Sequence, residues 1–180
     1  MLIRTAVPED GPAVADVEVR SWRAAYPGIV PQDYLDAMDA AERGARWSDW
    51  IAGAARPGAE LLLAEDGAGV VAFACFAPVE EGGEGAGGTA GPCELEAFFS
   101  VPETWGSGVN RRLIAEVHRS VAGAGYGEAV LWVLRDNPRA RRFYAAHGWE
   151  ADGAVTEEGP LNGAVLPRLR YRRELGPVGV

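Results

Sequence analysis

The sequence predicts an α/β fold, a mixed sheet of about seven strands with helices on both faces. Two observations carry this prediction. Apolar residues change repeatedly along the chain from short alternating or continuous runs to helical spacing, giving the order β α α β β β α β α β β. The run Ala129 to Leu134 is continuously apolar, as a strand buried on both faces requires. With 180 residues, 48% hydrophobic and 24% charged, the chain has the composition of a soluble globular protein of one domain. That domain is expected over residues 1–175, with a mobile Gly-rich loop at 80–92 and a C-terminal tail at 176–180.

Each element has a local reason. Leu2 to Val7 reads as a strand, and Pro8-Glu9-Asp10 opens a helix carrying Val14, Val17 and Trp22 on one side. Tyr26-Pro27-Gly28 ends it, and Pro31 opens the next, with Tyr34, Leu35 and Met38 on one face. Asp39 and Glu42 have the spacing of a capping box for a further helical piece running toward Trp47 and Ile51. Glu60 to Glu65 and Val70 to Ala77 flank Asp66-Gly67-Ala68-Gly69 and form a hairpin. Glu94 to Val101 alternates as a strand, and Val109, Leu113, Val117 and Val121 follow on a helix ending near Gly123 or Gly125. Asn137-Pro138 opens another helix, closed by His147-Gly148. Trp149 onward and Val165 to Glu174 supply the last strands, the latter with Arg168, Arg170 and Arg172 on one face.

Composition excludes several functions. The longest apolar runs fall far short of the roughly 20 residues that span a bilayer, and the N-terminus has no signal-peptide pattern. A cytoplasmic protein without a membrane partner is therefore expected. Cys75 and Cys93 are too few and too far apart for a disulfide framework or a zinc site, and no metal is expected. A formal charge of −9 is the wrong sign for nucleic acid. All 17 basic residues are Arg. Residues 1–134 hold 9 Arg and 20 acids, a net −11, while 135–180 hold 8 Arg and 6 acids, a net +2. An acidic field over the first part favours a cationic partner.

The most informative segment is Phe98-Phe99-Ser100-Val101-Pro102-Glu103-Thr104-Trp105-Gly106-Ser107-Gly108-Val109-Asn110-Arg111, which runs from strand through glycine turn to helix start. Glycines admit an anion to backbone amides, and a helix N-terminus adds a favourable dipole, so phosphate binding is the functional reading; a tight turn without ligand is the plain one. A P-loop needs a Lys that this chain lacks, and the dinucleotide fingerprint needs Gly where Arg111 stands.

The segment resembles the acyl-CoA-binding motif of the GNAT superfamily of N-acetyltransferases, Gln/Arg-x-x-Gly-x-Gly/Ala after a strand and a Pro. Gly108 matches, while Trp105 and Asn110 stand at the first and last positions. Asn137-Pro138-Arg139-Ala140-Arg141-Arg142-Phe143-Tyr144-Ala145-Ala146-His147-Gly148-Trp149 is similar to the family's Asn-x-x-Ala-x-x-x-Tyr-x-x-x-Gly-Phe motif, and Ile3-Arg4-Thr5-Ala6 with Glu9-Asp10 suits its N-terminus.

The resemblance implies a mostly antiparallel sheet and acetyl-CoA as co-substrate, with direct transfer to a small amine or an exposed amino group. Amides of Phe98, Phe99 and Ser100, on a splayed or bulged strand, would hold pantetheine. Those around Trp105, Gly106, Ser107, Gly108, Val109, Asn110 and Arg111 would hold the pyrophosphate, with Asn137 and Tyr144 also at the cofactor. Tyr144 is the implied general acid. Glu94 and Glu96, on the face of Phe98 and Ser100 by alternation, are candidate bases, Glu96 being nearer the acyl site. Arg111, Arg112, Arg139, Arg141 and Arg142 are either phosphate ligands or solvated helix positions. Trp22 and Tyr26 map to the acceptor wall. His118 is expected at the surface and His147 at its helix C-terminus, neither of them catalytic. A non-catalytic acyl-CoA-binding or interaction module, an enzyme using a larger acyl-CoA, and a homodimer all stay open.

Overall fold

The computed structural model describes residues 1–53, 58–79 and 91–175. Its chain order is β1 (Leu2–Thr5), α1 (Gly11–Ala25), α2 (Gln32–Ala37), α3 (Ala40–Gly53), β2 (Glu60–Asp66), β3 (Gly69–Pro78), β4 (Cys93–Ser100), α4 (Val109–Gly123), β5 (Glu128–Leu134), α5 (Pro138–Ala146), β6 (Glu150–Leu161) and β7 (Ala164–Glu174). The seven strands form one sheet in the order β1-β2-β3-β4-β5-β7-β6, antiparallel throughout except where β4 meets β5.

Polar anchors fix the N-terminal half. Asp39 Oδ1 accepts from the amides of Ala41 and Glu42 at 2.7 and 2.9 Å, capping α3 as its spacing predicts. Arg4 on β1 grips Asp10 at 2.6 and 2.8 Å and also Glu65 of β2, tying the entry of α1 to the sheet edge. α1 and α3 pack closely at Gly11, where a Cβ would fall 2.1 Å from Ser48 Oγ.

The sheet separates two apolar layers. Ala72, Ala74, Phe76, Leu95, Leu113, Ile114 and Val117 pack between it and α4, with α5 over the same face. Val14, Val17, Leu63, Phe73, Cys75 and Ala97 pack between the opposite face and α1 and α3. Both cysteines are buried and unbridged. The expected mobile loop at 80–92 lies mostly outside the described residues, as does the tail at 176–180. At its described ends, the Val79 amide donates to the Pro92 carbonyl at 3.2 Å.

Candidate active site

β4 and β5 share only two register pairs, Cys93 with Ala129 and Glu94 with Val130. Beyond them β4 stays on β3 as far as Ser100, and β5 stays on β7 as far as Leu134. The strands therefore splay, and among the described residues the β5-facing edge of β4 from Leu95 to Ser100 has no neighbouring strand. A cleft of about 640 Å³ fills the gap.

A bulge in β4 corrects the predicted alternation. Leu95 pairs with Phe76 and Ala97 with Cys75, so Glu96 is an extra residue opposite consecutive positions of β3. The shift places Phe98 and Ser100, paired with Ala74 and Ala72, on the α4 side. Glu94, paired with Ala77, joins Ala97 and Phe99 on the α1 side. Glu94 is thus on the face opposite Phe98 and Ser100 and does not line the cleft, whereas Glu96 does. Burial and the charge of Glu96 push the Glu94 carboxyl upward, against the pull of Arg168.

Past β4 the chain turns through two glycines in left-handed conformation, Gly106 at φ 80° and Gly108 at φ 92°. A Cβ at Gly106 would meet nothing within 4 Å, so open space lies before that backbone. The amides of Gly106, Gly108, Asn110 and Arg111 have no backbone or side-chain acceptor among the described residues. Four N–H groups at one helix start are a ready anion cradle. Asn110 Nδ2 donates to Ser100 Oγ at 2.9 Å, tying the first turn of α4 to the end of β4. Trp105 makes a second tie, its indole N–H donating to the Ser100 carbonyl at 3.2 Å. The Arg139 guanidinium lies 3.4 Å from the centroid of the Trp105 ring, which joins the turn to α5. Val109 packs into the apolar layers and does not line the cleft.

α5 forms the other side. Asn137 is buried and caps it, accepting from the Ala140 amide at 3.1 Å. One helical face then brings Ala140, Phe143 and Tyr144 to the cleft. Tyr144 is 9% exposed, in an aromatic cluster with Phe98, Phe143 and Trp149. Burial raises its pKa above the ordinary phenol value, and no hydrogen-bond partner for its hydroxyl occurs among the described residues. A phenol so placed stays protonated at neutral pH. Arg112 and Arg142 are exposed, and Arg141 is engaged by the Arg135 carbonyl at 3.1 Å.

The facing wall comes from the end of α1. Trp22 meets Tyr26 edge to face at 4.9 Å and also contacts Phe99 at 6.2 Å. Behind it, buried Glu18 pairs with Arg43 at 3.0 Å and accepts from Trp47 Nε1 at 2.9 Å, while Arg43 donates to the Tyr34 hydroxyl at 3.0 Å. This network locks α1, α2 and α3 together and fixes the wall. Burial pushes the Tyr26 phenol up to about 12, against the opposing charge of Arg139 and a hydrogen bond with Asn137.

The charged residues lining the cleft are Glu96, Arg111, Arg139 and Arg168. Among the described residues that line the cleft, the acidic field expected to favour a cationic partner is therefore reversed, three Arg standing against one Glu. Trp132, Leu166 and Arg168 line it without having been anticipated: the first two sit in apolar runs that read as plain core, and the third reads as a solvated strand position. His118 also differs from expectation. It is half-buried and accepts from Trp149 Nε1 at 3.1 Å, and burial lowers its pKa to about 4. His147 holds its helix end as expected, Nδ1–H donating to the Phe143 carbonyl at 2.7 Å.

Of the residues singled out in the sequence, the cleft gathers Trp22, Tyr26, Glu96, Phe98, Phe99, Ser100, Trp105, Gly106, Ser107, Gly108, Asn110, Arg111, Asn137 and Tyr144. Known proteins place this arrangement. The chain is 32% identical over 149 residues, 82% of its length and 79% of the relative's, to the uncharacterized N-acetyltransferase YuaI of Bacillus subtilis (strain 168). The PaiA N-acetyltransferase of Thermoplasma acidophilum, solved in complex with coenzyme A, superposes with a TM-score of 0.75 at 18% identity, covering 96% of this chain and 98% of that one. YncA of Salmonella typhimurium, solved with its cofactor acetyl-CoA, gives a TM-score of 0.72 at 18% identity over 100% and 96% of the two chains. The model of the acetyltransferase (GNAT) family matches residues 17–149, a span that contains every residue of the cleft from Ser21 to His147, and the chain belongs to that family.

Proposed function

We propose that the chain is an acetyl-CoA-dependent N-acetyltransferase that moves an acetyl group directly to a primary amine, either a small molecule or an exposed amino group. The observation that carries this reading is the splay of β4 from β5, which leaves a bare strand edge leading into a cradle of unengaged amides. The edge from Phe98 to Ser100 suits pantetheine added as a further strand. The amides of Gly106, Gly108, Asn110 and Arg111 suit a pyrophosphate, and both turn glycines already hold the left-handed backbone this requires. The coenzyme A and acetyl-CoA held by the two structural relatives support the same ligand.

Acetyl-CoA supplies a thioester whose carbonyl an amine can attack. The chain's own groups meet the remaining needs. Amides on the free edge of β4 donate toward the carbonyl oxygen, where negative charge develops. Tyr144, kept protonated by burial, donates its proton to the departing sulfur. Glu96, at the bulge, takes the proton of the amine directly or through water. Trp22 and Tyr26 present the acceptor to this line.

Calorimetry with acetyl-CoA, followed by release of free thiol over a panel of amines, tests the assignment. Binding with amine-dependent thiol release supports it. Binding without release for any amine supports an acyl-CoA-binding module instead, and release only with longer acyl donors makes the chain an acyltransferase of larger groups. No binding removes the ligand altogether.

A further inference from the structure

The side chains of Phe99, Trp132, Leu134 and Leu166 line the cleft but have no part in the mechanism above. They share one side of the sheet. Leu131 and Val133 pack in the layer beneath α4, so Trp132 and Leu134 alternate to the α1 side, where Leu134 meets Val19, Val30 and Leu35. Leu166 belongs to that same layer, and Phe99 packs with Phe73 and Ala97 beneath α1. Trp22 and Tyr26 reach this surface from the end of α1, Trp22 meeting Phe99 at 6.2 Å. Trp22, Tyr26, Phe99 and Trp132 are each only half-buried, so four aromatic rings leave apolar surface open inside a concave cleft. Trp132 is also held in place: Arg170, which does not line the cleft and is gripped by Asp152 at 2.6 Å, lies 5.8 Å from its ring centroid.

We infer that this half of the cleft selects the acceptor by apolar contact, with Trp132 as a specificity residue, and that the acceptor is a primary amine carried on an aromatic ring. This rests on the transferase reading above. The groups suited to the co-substrate stand elsewhere: Phe98, Ser100 and Tyr144 face α4, and the amide cradle opens α4 itself. Net charge does not discriminate on the α1 side. Arg111 lies in the first turn of α4, and Arg139 stacks at 3.4 Å on Trp105 in the turn before it, so both belong to the co-substrate arm. What remains is Glu96 and Arg168, the latter paired in register with Leu134, one charge of each sign. Apolar contact is then the discriminating surface. An aromatic ring seated among indole, phenol and phenyl walls gains buried area and edge or offset ring contacts that a small aliphatic chain lacks. A polar or second charged group placed there would give up water against ring faces and leucines.

The test uses the full chain, acetyl-CoA and primary amines of two kinds, phenethylamine and tryptamine against ethanolamine and putrescine, with an alanine-initiated peptide alongside and thiol release as readout. At least one aryl amine is expected to exceed ethanolamine and putrescine by about tenfold or more in kcat/KM, the order set by filling an apolar pocket. Trp132→Thr, a residue suited to a strand, should cut that ratio by about fivefold or more through a higher KM for the aryl amine. Its calorimetric acetyl-CoA Kd should stay within about twofold of the parent's. Trp132→Phe keeps a ring at the position and should recover most of the preference, and it serves alone where the Thr variant does not give the parent's circular dichroism. Equal use of aryl and polar amines by the unaltered protein, preference for the polar ones, or turnover of the peptide alone overturns the proposal. So does a weakened acetyl-CoA Kd in either variant with acceptor preference intact, which would assign the Trp132 ring to the co-substrate. Failure of the transferase reading looks different: acetyl-CoA does not bind, or no amine of any kind releases thiol.

Discussion

The two arms of the cleft are built from different material. On the α4 arm the working groups are backbone amides, set by Gly106 and Gly108 and held by ties from Asn110 and Trp105 to Ser100. On the α1 arm they are side chains, Trp22 and Tyr26, braced by the Glu18 and Arg43 pair. A backbone cradle binds whatever anion fits and depends little on residue identity, except where a side chain cannot be tolerated. A side-chain wall can be rebuilt by substitution without disturbing the fold. This contrast suits a protein with one fixed co-substrate and a variable acceptor.

Gly108→Val is the most damaging way to test the contrast. A β-branched residue at φ 92° costs about 1–2 kcal/mol in backbone strain alone, and its side chain enters the space where the anion would sit. Acetyl-CoA affinity should fall more than about tenfold by calorimetry, with circular dichroism showing a retained fold. Trp22→Leu on the other arm should leave that affinity within about twofold while altering acceptor KM. If the two variants behave alike toward acetyl-CoA, the division into arms is wrong.

Tyr144→Phe tests the group between the arms. The hydroxyl is the only part removed, so packing against Phe98, Phe143 and Trp149 persists. Turnover should drop by roughly 10- to 100-fold, the lower range for a general acid, because a thiol is already a tolerable leaving group. Acyl donors with a more acidic thiol should recover much of the rate. An unchanged rate with every donor would remove Tyr144 from the mechanism.

How much of this was legible in the sequence follows the same division. Gly106 and Gly108 were readable as a turn and Asn137 as a helix start because turn conformation and capping are local properties that one segment reveals, whereas Tyr144 was singled out by the resemblance to the family motif. The family resemblance implied a splayed or bulged strand, but the position of the bulge at Glu96 was not legible, since Glu94 to Ser100 alternates without a visible break and the extra residue is apparent only against β3. Glu94 was misplaced for that reason. Arg139 and Trp105 lie 34 positions apart, and nothing in either segment announces their stacking. The turn at Asn162 and Gly163, with φ 47° and 85°, was a local hairpin signal that went unread between two strands already assigned.

His118 supports the α4 arm from beneath, and its effect should appear in stability. Its pKa in the folded protein, about 4, lies below the ordinary 6.5. The folded state therefore favours neutral imidazole, which accepts the hydrogen bond from Trp149. The contribution is fully present above pH 6.5 and is lost as pH falls from there toward 4. His118→Gln should flatten that part of the melting-temperature profile. A parent profile as flat as the variant's between those pH values would contradict the burial of this ring.

The smallest expected effect separates the two carboxylates. Sequence alternation put Glu94 and Glu96 on one face with Glu96 nearer the acyl site, whereas the bulge gives the cleft Glu96 and not Glu94. Water can relay a proton in place of a dedicated base, so Glu96→Gln should lower kcat/KM by only about 3- to 10-fold near neutral pH, below the usual range for a required base. The loss should shrink as pH rises, because more of the amine then arrives already deprotonated and the carboxylate has less to do. Glu94→Gln acts from the opposite face and should change kcat/KM less than about twofold. Parallel profiles for the two variants would mean that neither face is favoured, and a larger loss for Glu94→Gln would mean that the amine approaches from the α1 side of the sheet.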